Sequence, residues 1–141
     1  MPKRSEDKDA IREPLTEHCF RLDELGALFT ETAEWGPKRI PTKARGPREI
    51  AELARSIVPV QGESPAGRHL TTNVVVRLAG DEAGVKSNFL MVRESEAGPL
   101  LAIAGTYEDH VVRTPQGWRF QAREIHNDVA GELGLKRRSG K

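Results

Sequence analysis

The chain has 141 residues, a length that corresponds to one domain. Its 22 basic and 21 acidic residues leave a formal charge of +1, so no charge excess marks a nucleic-acid footprint. The one cysteine, Cys19, excludes an internal disulfide and any multi-cysteine metal site. The longest apolar stretches, such as Pro99–Ala104, fall far short of the ~20 residues that span a bilayer. The start, MPKRSEDKDA, is charged and has no apolar segment behind it, so it does not read as a secretory signal. The expectation is a soluble, cytoplasmic protein without nucleic-acid or membrane partners.

Residues 1–9 are polar and read as a frayed end. Behind them, Ile11, Leu15, Cys19 and Leu22 are spaced by four, four and three, which predicts one face of a helix, with His18 on the same stripe. Pro14 interrupts this pattern: either the helix kinks there, or Pro14 sits in the first turn of a shorter helix. A second helical segment, Asp23–Phe29, follows with almost no connector, and Thr30–Trp35 reads as a turn into a brief strand. Gly36–Gly46, with two prolines and four basic residues, suits a loop or edge strand. Pro47 then opens a third helix ending at Ile57, in the first position that proline favours.

After a polar loop the pattern alternates with period two. His69–Leu78, Val85–Arg93, Leu100–Arg113 and Trp118–Asn127 read as strands, joined by turns at Ala79–Glu82, Glu94–Gly98 and Thr114–Gly117. Three hairpins in succession predict an antiparallel meander. Helices first and a meander afterwards is an α+β order. In the first of these strands Leu70, Thr72, Val74, Val76 and Leu78 fall on one face, and His69, Thr71, Asn73, Val75 and Arg77 on the other. Both faces of the sheet carry apolar residues. One covers the helices; the other, with Val74, Val76, Leu100, Ala102 and Phe120, would be a large exposed patch, which predicts a homodimer or higher homo-oligomer packed sheet on sheet. The domain is expected over residues 10–130, with a disordered basic tail at 131–141.

Helix, helix, a short strand ending in AEW, helix and four long antiparallel strands is the order of the cone-shaped NTF2-like fold. The strings GRHLTTNVVV (Gly67–Val76), GTYEDHVVR (Gly105–Arg113) and GWRFQAREI (Gly117–Ile125) resemble its SnoaL-like branch. That branch includes scytalone dehydratase, bile-acid 7α-dehydratase and lindane dehydrochlorinase. The resemblance covers roughly residues 9–127 of the chain. It implies a cone of three N-terminal helices packed on a strongly curved antiparallel sheet. The fold alone does not imply an activity, because it hosts lyases, isomerases, cyclases, hydrolases and non-catalytic binders.

By the same resemblance, His69 takes the place of a general base at the start of the first long strand. Asp23 takes that of the aspartate orienting it, and Arg123 that of a pocket arginine. His18 and Cys19 correspond to pocket-lining positions, and Trp35 to the aromatic at the pocket mouth. Relatives carry several more residues between the aspartate and the next helix. Asp23 is therefore either the orienting aspartate with the connector lost, or the cap of the second helix.

A His–Asp pair suits proton abstraction beside a carbonyl or leaving group. Neutral imidazole accepts the proton, and the aspartate fixes the tautomer and stabilises the imidazolium. Arg123 would then stabilise developing negative charge. The plainer reading of His69 is a strand-edge histidine bonded to a backbone carbonyl. Tyr107 is either a pocket hydroxyl or a packed core tyrosine. Asn73, on the His69 face, either lines the pocket or bonds across strands. His110 and His126 lie on separate strands without ligand spacing, so no metal is expected, and the chemistry calls for no cofactor. The reading is a cofactor-independent lyase or isomerase for a small apolar ring-containing molecule. Its rival is a binding or dimerising protein of the same fold.

Overall fold

Pro2–Phe20 forms one helix, α1, in the computed structural model, which describes residues 2–20, 27–38, 43–57 and 67–130. The second element is strand β1 (Phe29–Pro37), then β2 (Ala44–Arg45) and helix α2 (Gly46–Ile57). Four long strands complete the order: β3 (Gly67–Ala79), β4 (Glu82–Ser95), β5 (Gly98–Thr114) and β6 (Gly117–Ala130). They build one six-stranded sheet in the order β2-β1-β6-β5-β4-β3. No helix among the described residues is long and apolar enough to cross a membrane.

The α+β order and the meander stand as expected, with three corrections. The sheet is mixed, because β1 pairs parallel with β6 while every other pair is antiparallel. The described residues contain two helices, not three. The expected second helix, Asp23–Phe29, lies mostly outside them, and its described end is a 3-10 turn at Ala27–Leu28 running into β1. The polar start is helical rather than frayed. Arg113 on β5 holds it there, pairing with Asp7 at 2.8 Å and Asp81 at 3.0 Å while its guanidinium lies 4.7 Å from the Trp118 ring centroid. Pro14 sits inside α1, buried beside Ile11 and Leu15, so the helix continues past it. The basic tail lies outside the described residues.

Helix α2 forms because Pro47 is tolerated in a first turn and Glu49 reaches back to accept a 2.8 Å bond from the Arg45 N–H. It turns Ile50 and Ala54 into the core against β1. The main apolar cluster joins these to Ile11, Phe29, Trp35, Val85, Val111 and Phe120. A second cluster, Phe89, Met91, Ala102, Ile103 and Tyr107, occupies the other end of the same sheet face. Ile125 packs against both.

This inner face differs from the alternation read in the sequence. Thr72 pairs with Asn88 and Val75 with Lys86, so Asn73 and Val74 together oppose Ser87. That is a β-bulge, and Asn73 carries its strain with φ 56°, a conformation asparagine tolerates better than most residues. Beyond the bulge the parity reverses. His69 therefore shares the inner face with Val74 and Val76, and Asn73 is exposed rather than lining a pocket. The expected outer patch is corrected too: Val76, Ala102 and Phe120 are buried in the core.

Candidate functional site

The site is built where the two apolar clusters meet. Arg123 donates from Nε to Asp109 Oδ1 at 2.7 Å and from Nη2 to Asp109 Oδ2 at 2.8 Å, with both side chains 0% exposed. Two short parallel bonds of this kind are the strongest form of charge-assisted pairing. Burial pushes the Asp109 carboxyl up from its ordinary value, while the Arg123 charge and hydrogen bonds pull it down. The paired geometry is that of a carboxylate held by a guanidinium, and arginine does not give up its proton in proteins.

An aromatic column fixes the same guanidinium. Its central carbon lies 3.8 Å from the Tyr107 ring centroid and 4.4 Å from that of Phe120. Tyr107 stacks on Phe89 at 4.3 Å and 16°, and Phe120 meets Phe29 at 5.1 Å. Gly105, directly opposite Phe89, leaves room for this column. A Cβ there would lie 2.8 Å from the Phe89 ring and collide with the His126 carbonyl oxygen. The charge is thus held immobile on the inner face.

His69 stands on the same face, directly opposite buried Met91, which itself pairs with Ile103. It is half-buried. Burial first, and then the Arg123 charge, hold its pKa below the ordinary 6.5, so the ring is neutral at pH 7. The neutral ring has a free nitrogen lone pair to accept a proton, while the same burial and the Arg123 charge make it a weaker base than an exposed histidine. An open cleft of about 440 Å³, lined by Arg68, Val92, Arg93, Glu94, Ser95, Gly98 and Pro99, lies at the nearby end of β4 and β5.

The structure places Arg123, Tyr107 and His69 on one face of the sheet. Tyr107 is a buried, stacked residue of the second cluster, and Trp35 lies in the main core, register-paired with Arg123. Asp23 and the side chains of His18 and Cys19 lie outside the described residues. The residue that sequence reading missed is Asp109. Its place beside Tyr107 on one strand face is visible in the period of two, but its partnership with Arg123 is not.

The SnoaL-like domain family matches residues 3–124. The chain belongs to that family. No curated protein matches the sequence. Solved structures similar to this SnoaL-like chain include a protein of unknown function from Mycobacterium tuberculosis (TM-score 0.79, 23% identity, 90% of this chain and 75% of that one). An NTF2-like protein from Novosphingobium aromaticivorans aligns with TM-score 0.77 at 21% identity, over 89% of this chain and 84% of that one. A scytalone dehydratase-like protein from the same organism aligns with TM-score 0.75 at 22% identity, over 97% of this chain and 100% of that one. At these identities the likeness establishes the NTF2-like fold of the SnoaL-like domain and nothing finer.

Proposed function

We propose that this SnoaL-like protein is a cofactor-independent lyase or isomerase for a small, largely apolar ring-containing molecule, with His69 as general base. The observation that carries the reading is His69 itself, a neutral imidazole on the same apolar inner face as the Arg123 guanidinium, whose charge it feels. In a dehydration, His69 takes a proton from the carbon next to a carbonyl, leaving an enolate. The resulting imidazolium returns that proton to the departing β-hydroxyl, which leaves as water. Asp23 is assigned the role of orienting the imidazole. Arg123 stabilises the enolate through its field, because its side chain is 0% exposed. The likeness to a scytalone dehydratase-like protein is consistent with this reading.

A second reading is a binding protein without chemistry, and one observation favours it. The Arg123 charge is already opposed by Asp109 at two short bonds, which weakens its pull on a developing oxyanion. A panel of cyclic β-hydroxyketones, followed by absorbance of the conjugated product, separates the two. Turnover by the wild type and a loss on the order of 10²–10⁴ in His69→Gln is the expected result. Full activity in His69→Gln removes His69 from the mechanism. Calorimetric binding of the panel without turnover selects the second reading.

A further inference from the structure

The outer face of the sheet, turned away from His69, carries a cluster that the proposed chemistry does not use. On β6, Glu124 and His126 are two residues apart, so their side chains leave the strand on one face. Glu108 on β5 stands directly opposite Glu124. Like charges in that position oppose strand pairing, so the two carboxylates call for a cation between them. The nearby lysines do not supply it. Lys86 is the register partner of Glu108 on β4, and Lys38 joins β6 through its N–H to the Ile125 carbonyl, but neither amine pairs with either acid. What stands beside the carboxylates is the His126 ring, with Nε2 2.8 Å from Glu124 Oε1 and 3.6 Å from Glu108 Oε2. This nitrogen is fully buried, yet it has no hydrogen-bond partner. A carboxylate oxygen that lies 2.8 Å away and takes no hydrogen bond is off the axis along which the ring nitrogen points. Ligands of one metal ion stand to each other in that way: the nitrogen points at the ion, and the oxygens reach the same ion from the sides.

We propose that Glu108, Glu124 and His126 bind a divalent transition-metal ion of the zinc type, which clips β5 to β6. One ligand atom from each residue lies within 4.8 Å of the other two. Zinc takes imidazole nitrogen and carboxylate oxygen at about 2.0–2.2 Å in tetrahedral order, which sets neighbouring ligand atoms about 3.3–3.6 Å apart. The His126–Glu108 spacing of 3.6 Å already has that value. The Glu108 side chain is 54% exposed, so it can swing to close the remaining span to Glu124. Three protein ligands leave the fourth position to water. The nitrogen ligand selects a transition metal over magnesium or calcium, which require shells of oxygen. The charge of the ion offsets the two facing carboxylates. Spacing in the sequence hides this site, because a search for a second histidine finds His110, which stands beside Glu82 at 3.6 Å instead. The clip lies one rung from the Asp109–Arg123 pair, so it would pin the two strands that bring those residues together. The assignment does not depend on the proposed chemistry.

Zinc titration of the full chain, without an affinity tag and treated beforehand with chelator, tests the site. Calorimetry at neutral pH should find one equivalent of zinc bound per chain, and zinc should raise the urea midpoint of unfolding, because an ion that binds only the folded state stabilises it. Magnesium should leave the midpoint unchanged. Glu124→Gln and His126→Gln should each weaken zinc binding by more than about tenfold, since even outer-shell partners of a bound metal are worth about 10–100-fold. Far-UV circular dichroism checks that each variant keeps its sheet. Glu108→Gln supplies a change of sign that a purely structural ion pair does not give. Without metal it removes the repulsion and should unfold at the same urea concentration as the wild type or a higher one, and zinc should no longer raise that midpoint. No zinc uptake by the wild type, uptake that all three variants keep, a midpoint raised equally by magnesium, or a Glu108→Gln chain less stable than the wild type without metal would each overturn the inference.

Discussion

His69 couples the electrostatics of the inner face to the acidity of the medium. In the unfolded chain this imidazole protonates near its ordinary value of 6.5; in the folded chain burial and the Arg123 charge delay protonation to lower pH. Between those values the unfolded state holds more protons, so stability rises with pH there. The sign follows: the contribution is complete above 6.5 and is lost as the pH falls below it towards the folded value. Urea midpoints measured on both sides of 6.5 should therefore drop on the acid side, and His69→Gln should show a shallower drop. His110 and His126 are common to both proteins, so the difference isolates His69. Identical slopes in the two proteins would mean that the ring is as solvated as in the unfolded chain.

At the scale of elements, bulges decide which residues meet. Counted outward from the Thr114–Gly117 turn in strict alternation, Asp109 falls opposite Ala122, and Arg123 has no acid beside it. The register shift between His110 and Val111 moves Asp109 onto Arg123. The residue set free is Gln121, and its amide is put to use. It accepts from Thr30 Oγ1 at 2.8 Å and donates to Thr32 at its carbonyl (3.2 Å) and hydroxyl (3.1 Å). These bonds close the gap in the β1–β6 ladder between Phe29 and Glu34. Gln121→Ala should then lower stability by about 1–2 kcal/mol in chemical denaturation, since each net bond contributes about 0.5–1.5 kcal/mol. No loss would mean that the parallel ladder holds β1 by itself. The strands and hairpins were legible in the sequence because alternation and turn residues are local signals. The Asn73 and Gln121 bulges were not, because each reverses parity without changing composition. The helical start was hidden for a related reason: its support, the Asp7–Arg113 pair, joins residues from opposite ends of the domain.

At the scale of the whole molecule, the question is whether the two apolar clusters open separately. One holds the helices to the sheet, and the other lines the end where His69 stands. A mobile mouth on a rigid base is a familiar arrangement for binding sites, because local opening draws on the least stable region of a fold. Here the aromatic column runs from Phe89 through Tyr107 and Arg123 to Phe120 and Phe29, crossing from one cluster to the other. Opening the second cluster alone would strip Tyr107 from the guanidinium and expose a buried ion pair to partial solvation, a costly step. The clusters should therefore unfold as one unit. The two tryptophans report on it from different strands, Trp35 on the parallel strand and Trp118 beside the Arg113 clamp, and both are buried. In Trp118→Phe the fluorescence follows Trp35, and in Trp35→Phe it follows Trp118. Within each variant, at one protein concentration, the fluorescence midpoint in urea should coincide with the midpoint from far-UV circular dichroism, as cooperative unfolding requires. Both tryptophans sit in the main cluster, so strand signal lost ahead of the fluorescence transition would show that the second cluster opens first, and that the column does not bind the clusters together.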